Sequence, residues 1–210
     1  MDVNTLAVAL IGVGGTLGGT LGGAVLSQRA GREQNERADR EREQERYEQA
    51  QQAKRDLYAQ LNAAARAYRV AGRDVVHAAE RGEDVDHAVL ESAKEAWGDQ
   101  YSQAQMALSK DVLHVVSKLD RILQVGYSIV KQLPSSPNLD EAYQRTKAWF
   151  SGPLSDGVYL LRVTLRHDLG VEVDPGFEQT RTRILTALDT ARNETERLLD
   201  EERAQKAGSR

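Results

Sequence analysis

Cysteine is missing from the 210-residue chain, which excludes a disulfide framework, a thiolate nucleophile and any cysteine-ligated metal. Proline is scarce: there are 4, none before Pro134, so no helix breaker of that kind falls in the first part of the chain. Aromatic residues are 5% of the total, which leaves most apolar burial to Ala, Leu, Val and Ile. An excess of positive charge is also lacking. With a net charge of -4 and arginines interleaved with acids, no clustered cationic face is expected, and nucleic acid is not an expected partner. What is abundant is Ala, Leu, Glu, Gln and Arg, a composition that favours long helices and, at this length, one helical domain with an accessory segment.

The one long hydrophobic run lies at the start. From Val3 to Gln28 there are 26 residues without a formal charge, and between Leu6 and Leu26 only Thr16 and Thr20 carry polar side chains. About 20 apolar residues suffice to cross a bilayer as a helix, so residues 3–28 are expected to form a transmembrane helix. A cleaved secretory signal would need a cationic n-region, and Asp2 is the only charged side chain before the run. Arg29, Arg32, Arg37 and Arg40 follow it, and the positive-inside bias then places the N-terminus outside and the remainder in the cytoplasm of a cell-membrane protein. The run is rich in glycine. Gly14, Gly18 and Gly22 form one four-residue register, Gly15, Gly19 and Gly23 a second, with Gly12, Thr16 and Thr20 alongside; such small-residue faces let membrane helices approach closely. Homo-oligomerisation through Gly14, Gly15, Gly18, Gly19, Gly22, Gly23, Thr16 and Thr20 is the expectation.

The segment Ala9-Leu10-Ile11-Gly12-Val13-Gly14-Gly15 also imitates a strand entering a dinucleotide-binding turn. The fingerprint breaks down because Leu17 stands where its third glycine belongs, no phosphate-loop Lys is near, and no second strand follows.

Residues 29–56 carry eight basic and eight acidic side chains and hardly any apolar ones, which predicts a solvated helical neck. Residues 57–206 read as an antiparallel up-down bundle of about four principal arms. Leu57, Leu61, Ala64, Tyr68, Ala71, Val75 and Ala78 follow a heptad seam that a break at Gly82-Glu83-Asp84 ends. Val85, Val89, Ala93, Trp97 and Tyr101 begin a second face, with Gly98 as a candidate interruption. Val112, Val116, Leu119, Leu123, Gly126, Val130 and Leu133 give the strongest amphipathic pattern. Asn138 and Glu141 match a capping box, Gly152-Pro153 divides the next stretch (Leu139, Ala142, Tyr143, Trp149 and Phe150 before, Leu154 to Leu169 after), and Gly170 suits a C′ position. Phe177, Ile184, Leu188, Ala191 and Leu198 form the last seam.

Candidate chemistry is thin. An Asp precedes a His by three residues at Asp74/His77, Asp84/His87 and Asp111/His114, but di-metal bundle sites use Glu-x-x-His pairs with further inward-facing Glu. Asp111 and His114 share a polar stripe with Lys118 and Arg121, and Asp84 reads as an N-cap. Runs such as Asp200-Glu201-Glu202 read as solvated faces, and Trp97 and Trp149 as core anchors. No catalytic, cofactor or metal residue is nominated, and an enzyme is not expected.

The opening LAVALIGVGGTLGGTLGGAVLSQR at residues 6–29, followed by an Arg/Glu-rich helix, resembles a group of small actinobacterial membrane proteins, some with names linking them to plasmid kil or spread functions in mycelial conjugation. Arg outnumbers Lys by 21 to 7, which suits a GC-rich genome. The resemblance covers about the first 60 residues, implies a single-pass topology and carries over no site residues. The functional expectation is a membrane-anchored, non-enzymatic scaffold that self-associates and presents its bundle to a cytoplasmic protein partner. A membrane-perturbing or pore-forming protein and a helical sensor for a small ligand are the alternatives.

Overall fold

In the computed structural model, residues 37–83, 87–171 and 174–204 are described with their side chains, and the backbone of residues 3–36 and 205–208 as helix. The expected span at 3–28, with its glycine and threonine face, and Arg29 and Arg32 lie outside the residues whose side chains are described; so do Asp84 and Val85. Among the described residues no helix is long and apolar enough to cross a membrane. Those residues form helices and turns, and no strand.

The order is α1 (Val3–Glu80), α2 (His87–Ala107), α3 (Lys110–Gln132), a short 3-10 turn (Leu133–Ser135), α4 (Leu139–Ser151), α5 (Pro153–Asp168) and α6 (Phe177–Gly208). The chain divides into two units, residues 1–53 and 54–210. In the first, nearly all described side chains are exposed, Arg37 and Arg40 among them, and local pairs such as Arg42 with Asp39 at 3.3 Å decorate the helix. A helix with no apolar stripe has nothing to bury.

In the second unit five arms surround one core, one more than the sequence pattern suggests, with α4 and α5 forming a single arm broken at Gly152-Pro153. Proline cannot supply the N–H that would continue α4, and it starts α5 at the position where that donor would be unpaired anyway. Arms that follow one another in sequence run antiparallel, as do α1 and the α4–α5 arm, whereas α3 and α6 lie parallel, with Asp111 beside Arg181 and Lys118 beside Asp189. Ser109 at the start of α3 meets Asp168 at the end of α5, while Gly157 packs against Leu119 midway. Likewise Tyr58 of α1 meets Asp168, and Tyr143 of α4 meets Ala79. On α2, Glu91 reaches Tyr127 and Tyr101 reaches Ser117, again in opposite senses. At the centre α3 buries every residue of its expected seam, and Leu119, Ile122 and Leu123 are among the side chains most fully enclosed.

Turn chemistry follows the sequence. Gly82 and Gly170 both have φ near +70°, at 70° and 68°, and each closes a helix with a six-to-one bond, Glu83 N–H to Ala78 O and Val171 N–H to Arg166 O, both 3.0 Å. Asn138 caps α4: its carbonyl oxygen accepts from Glu141 N–H at 3.3 Å and its amide donates to the Glu141 carboxylate at 3.2 Å.

Five expectations need correction. Gly98 does not interrupt α2, which runs through it on an exposed face. Val89 is not core but 59% exposed, because Leu90, Trp97 and Ala104 define the buried edge of α2. In α1 the buried positions are Tyr58 and Ala65 rather than Leu57 and Ala64, and in α6 Leu199 rather than Leu198. Leu139, expected on the inner face of α4, is 45% exposed in its first turn.

Candidate functional site

Helices α1 and α2 form an antiparallel hairpin around Gly82, and between them on the outer side runs an apolar groove of about 810 Å³. Ala67, Val70, Ala71, Val75 and Ala78 line it from α1, and Ala88, Val89, Ala93 and Ala96 from α2. Alanines leave the helices too slender to close the space between them. Only Asp74 and Ser92 bring polar side chains, and the Asp74 carboxylate accepts from the Arg73 guanidinium at 3.1 Å.

Behind the groove, α2 is fastened to α3 largely by polar contacts, since it buries only Leu90, Trp97 and Ala104. Trp97 Nε1 donates to Asp120 at 2.9 Å, and Tyr101 donates to Ser117 at 3.2 Å. Tyr127 donates its hydroxyl to Glu91 at 2.6 Å, while Lys131 pairs with the same carboxylate at 2.8 Å and Lys94 sits 4.0 Å over the Tyr127 ring. The Lys131 and Tyr127 hydrogen bonds hold the Glu91 carboxyl at about 2. Burial pushes Asp120 the other way, above the usual carboxylate range, against the opposing hydrogen bonds from Trp97 and Gln124. Tyr68 of α1 lies buried beside this cluster, and its hydroxyl has no hydrogen-bond partner among the described residues.

A second polar knot ties α1, α3 and α5. Asp168 accepts from Tyr58 at 2.6 Å and from Ser109 at 3.4 Å, and pairs with Lys54 at 2.5 Å. Burial raises this carboxyl, but the Lys54 and Tyr58 hydrogen bonds outweigh it and hold it below its ordinary value. On the far side, a groove of about 370 Å³ between α3 and α6 is lined by Arg121, Arg192 and Arg203, with Glu196 and Asp200 offsetting their charge. Arg203 pairs with Asp200 at 2.9 Å.

No family model matches the chain, no curated protein matches its sequence and no solved structure matches its fold.

The Asp-x-x-His pairs do not converge. Asp74 is held by Arg73, His77 lies 3.8 Å from Glu80, Asp111 faces Arg181 at 3.8 Å, and among the described residues no group of three His, Asp or Glu side chains is placed to hold a metal ion. Asp200 pairs locally with Arg203, and Glu201 with Arg197 at 2.6 Å. Trp97 and Trp149 are both buried in the core cluster. Sequence reasoning overlooked the groove and both polar knots. A signal for the groove was present in the alternation of Ala67, Val70, Asp74, Ala78 on one helix and Ala88, Ser92, Ala96 on the next, two half-apolar edges with side chains too small to fill a core. No comparable signal marked Asp168, whose partners come from residues far away in sequence.

Proposed function

We propose that the chain is a single-pass membrane scaffold without enzymatic activity. Residues 3–28 cross the cell membrane with the N-terminus outside, the charged neck leads away from the bilayer, and an up-down bundle faces a cytoplasmic protein partner. The observation that carries this reading is the 26-residue uncharged run, followed by Arg29, Arg32, Arg37 and Arg40. The bundle's chemistry supports the scaffold half of the reading. The Glu91 and Asp168 clusters join two and three helices respectively, so those residues are committed to holding the bundle together. The resemblance to actinobacterial membrane proteins makes plasmid transfer or envelope organisation the setting.

Self-association is assigned to the glycine face, because in lipid no hydrophobic drive brings helices together and close backbone approach must supply the attraction. A membrane two-hybrid assay of the span tests this. Replacing Gly18 and Gly19 with Leu abolishes the signal and replacing Leu10 with Ile preserves it; an unchanged signal in the glycine double variant removes the basis for association through the span. Liposomes carrying the intact protein retain entrapped dye if it is a scaffold, and leak if it forms pores.

A further inference from the structure

The outer face of the α1–α2 hairpin concentrates apolar surface that the bundle leaves uncovered. Val70 and Val89 are 38% and 59% exposed, and both line the groove. Patches of this kind on a folded domain mark interaction sites. The two edges of the face also carry opposite charge. Arg66 stands on the α1 edge, Glu95 and Asp99 on the α2 edge, all exposed, and none of the three makes an ion pair or side-chain hydrogen bond among the described residues.

We propose that this face is a two-fold interface between two copies of the chain, with α1 of each copy lying over α2 of the other. The hairpin is antiparallel and both helices rise equally per residue, so Ala78 and Ala88 flanking the turn put Val70 level with Ala96, Asp74 with Ser92, and Arg66 within one residue, about 1.5 Å, of the level of Asp99. A two-fold axis parallel to the helices keeps those levels and exchanges the partners. Arg66 then meets the partner's Asp99, Asp74 can accept from the hydroxyl of the partner's Ser92, and Val70 fills space left by the partner's Ala96. Every contact occurs twice. The face is complementary to itself in charge, hydrogen bonding and size, which is what a second copy requires and what a lipid chain does not use. The proposal rests on the bundle alone and is independent of the membrane reading.

The cysteine-free background allows a direct test in the full-length protein. Val70→Cys and Ala96→Cys variants are prepared separately, mixed in detergent and oxidised. The mixture gives a disulfide-linked species at twice the 23.2 kDa monomer mass, and neither variant alone gives more than a background cysteine at exposed Glu178. In that assay Arg66→Glu lowers the linked fraction about fivefold, since two ion pairs turn repulsive at once, and Asp99→Arg does the same. Combining Arg66→Glu with Asp99→Arg restores it. Circular dichroism confirms that the variants are folded, as expected for exposed positions. Absence of linkage in the mixture, linkage equal to the Glu178→Cys control, or failure of the double reversal to rescue overturns the proposal. A monomer that retains a lipid or other apolar molecule, lost when Val70→Trp fills the groove, overturns it in favour of a small ligand.

Discussion

The backbone of Gly72 in α1 passes so close to the ring of Phe150 in α4 that a Cβ added there would lie 2.5 Å from Phe150 Cζ. Phe150 is 4% exposed and also borders a space of about 270 Å³ lined by Arg69, Val76 and Lys147, so a Cβ at position 72 would force the ring to shift. The absence of one methyl group at this position lets the two helices meet.

Gly72→Ala should therefore destabilise the bundle. Overpacking costs about 1–3 kcal/mol and the helix-propensity gain of Ala over Gly returns roughly 1 kcal/mol, for a net loss of up to about 2 kcal/mol. Gly98→Ala isolates the propensity effect, because a Cβ there meets nothing within 4 Å. It should stabilise by about 0.5–1 kcal/mol. Urea denaturation of both variants checks the pair; equal effects of the same sign would contradict the close approach of Gly72 to Phe150.

Tyr68→Phe should be neutral or stabilising. The Tyr68 hydroxyl is buried without a hydrogen-bond partner among the described residues, and an unsatisfied buried polar group costs about 1–3 kcal/mol. Removing it while keeping the ring relieves that cost. Thermal denaturation should show a midpoint at or above that of the unaltered protein, and a clear fall would reveal a partner for the hydroxyl.

The helices and their caps were legible in the sequence because their signals are local. Gly82, Gly170 and the Asn138–Glu141 cap act within a few residues of themselves, and α3 reads clearly because its apolar residues are large and regularly spaced. The faces of α1 and α2 were harder to read. Alanine is apolar enough to fit a seam and small enough to lie outside one, so Ala64 and Ala65 compete on equal terms in sequence. Leu57 and Tyr58 are likewise successive residues about 100° apart on the helix, flanking the same seam. Tyr58 gains further because its hydroxyl reaches Asp168. Whether Val89 or Leu90 faces inward on α2 is settled by Trp97 and its bond to Asp120, a relationship between two helices that neither helix's own pattern contains.

The knot at Asp168 should make stability depend on acid pH. Its carboxyl titrates below the ordinary value of about 3.9 when folded. A depressed carboxylate contributes stability above its unfolded pKa and loses it as pH falls through the folded one. Asp168→Asn should lower stability at neutral pH by about 1.5–3 kcal/mol, typical of a hydrogen bond to a charged group. The same variant should also fall less steeply than the unaltered protein below about pH 4. Denaturation curves from pH 7 to pH 2.5 measure both. Parallel acid limbs for the two proteins would contradict the role assigned to Asp168.

Alkaline carbonate extraction of membranes, from cells expressing either the full-length chain or a chain lacking residues 2–28, decides whether residues 3–28 form a single membrane span. Carbonate strips proteins held at the surface by charge and leaves those that cross the bilayer. The full-length protein should stay in the pellet, and the shortened chain should be found in the soluble fraction before any extraction. Release of the full-length protein by carbonate would contradict the account.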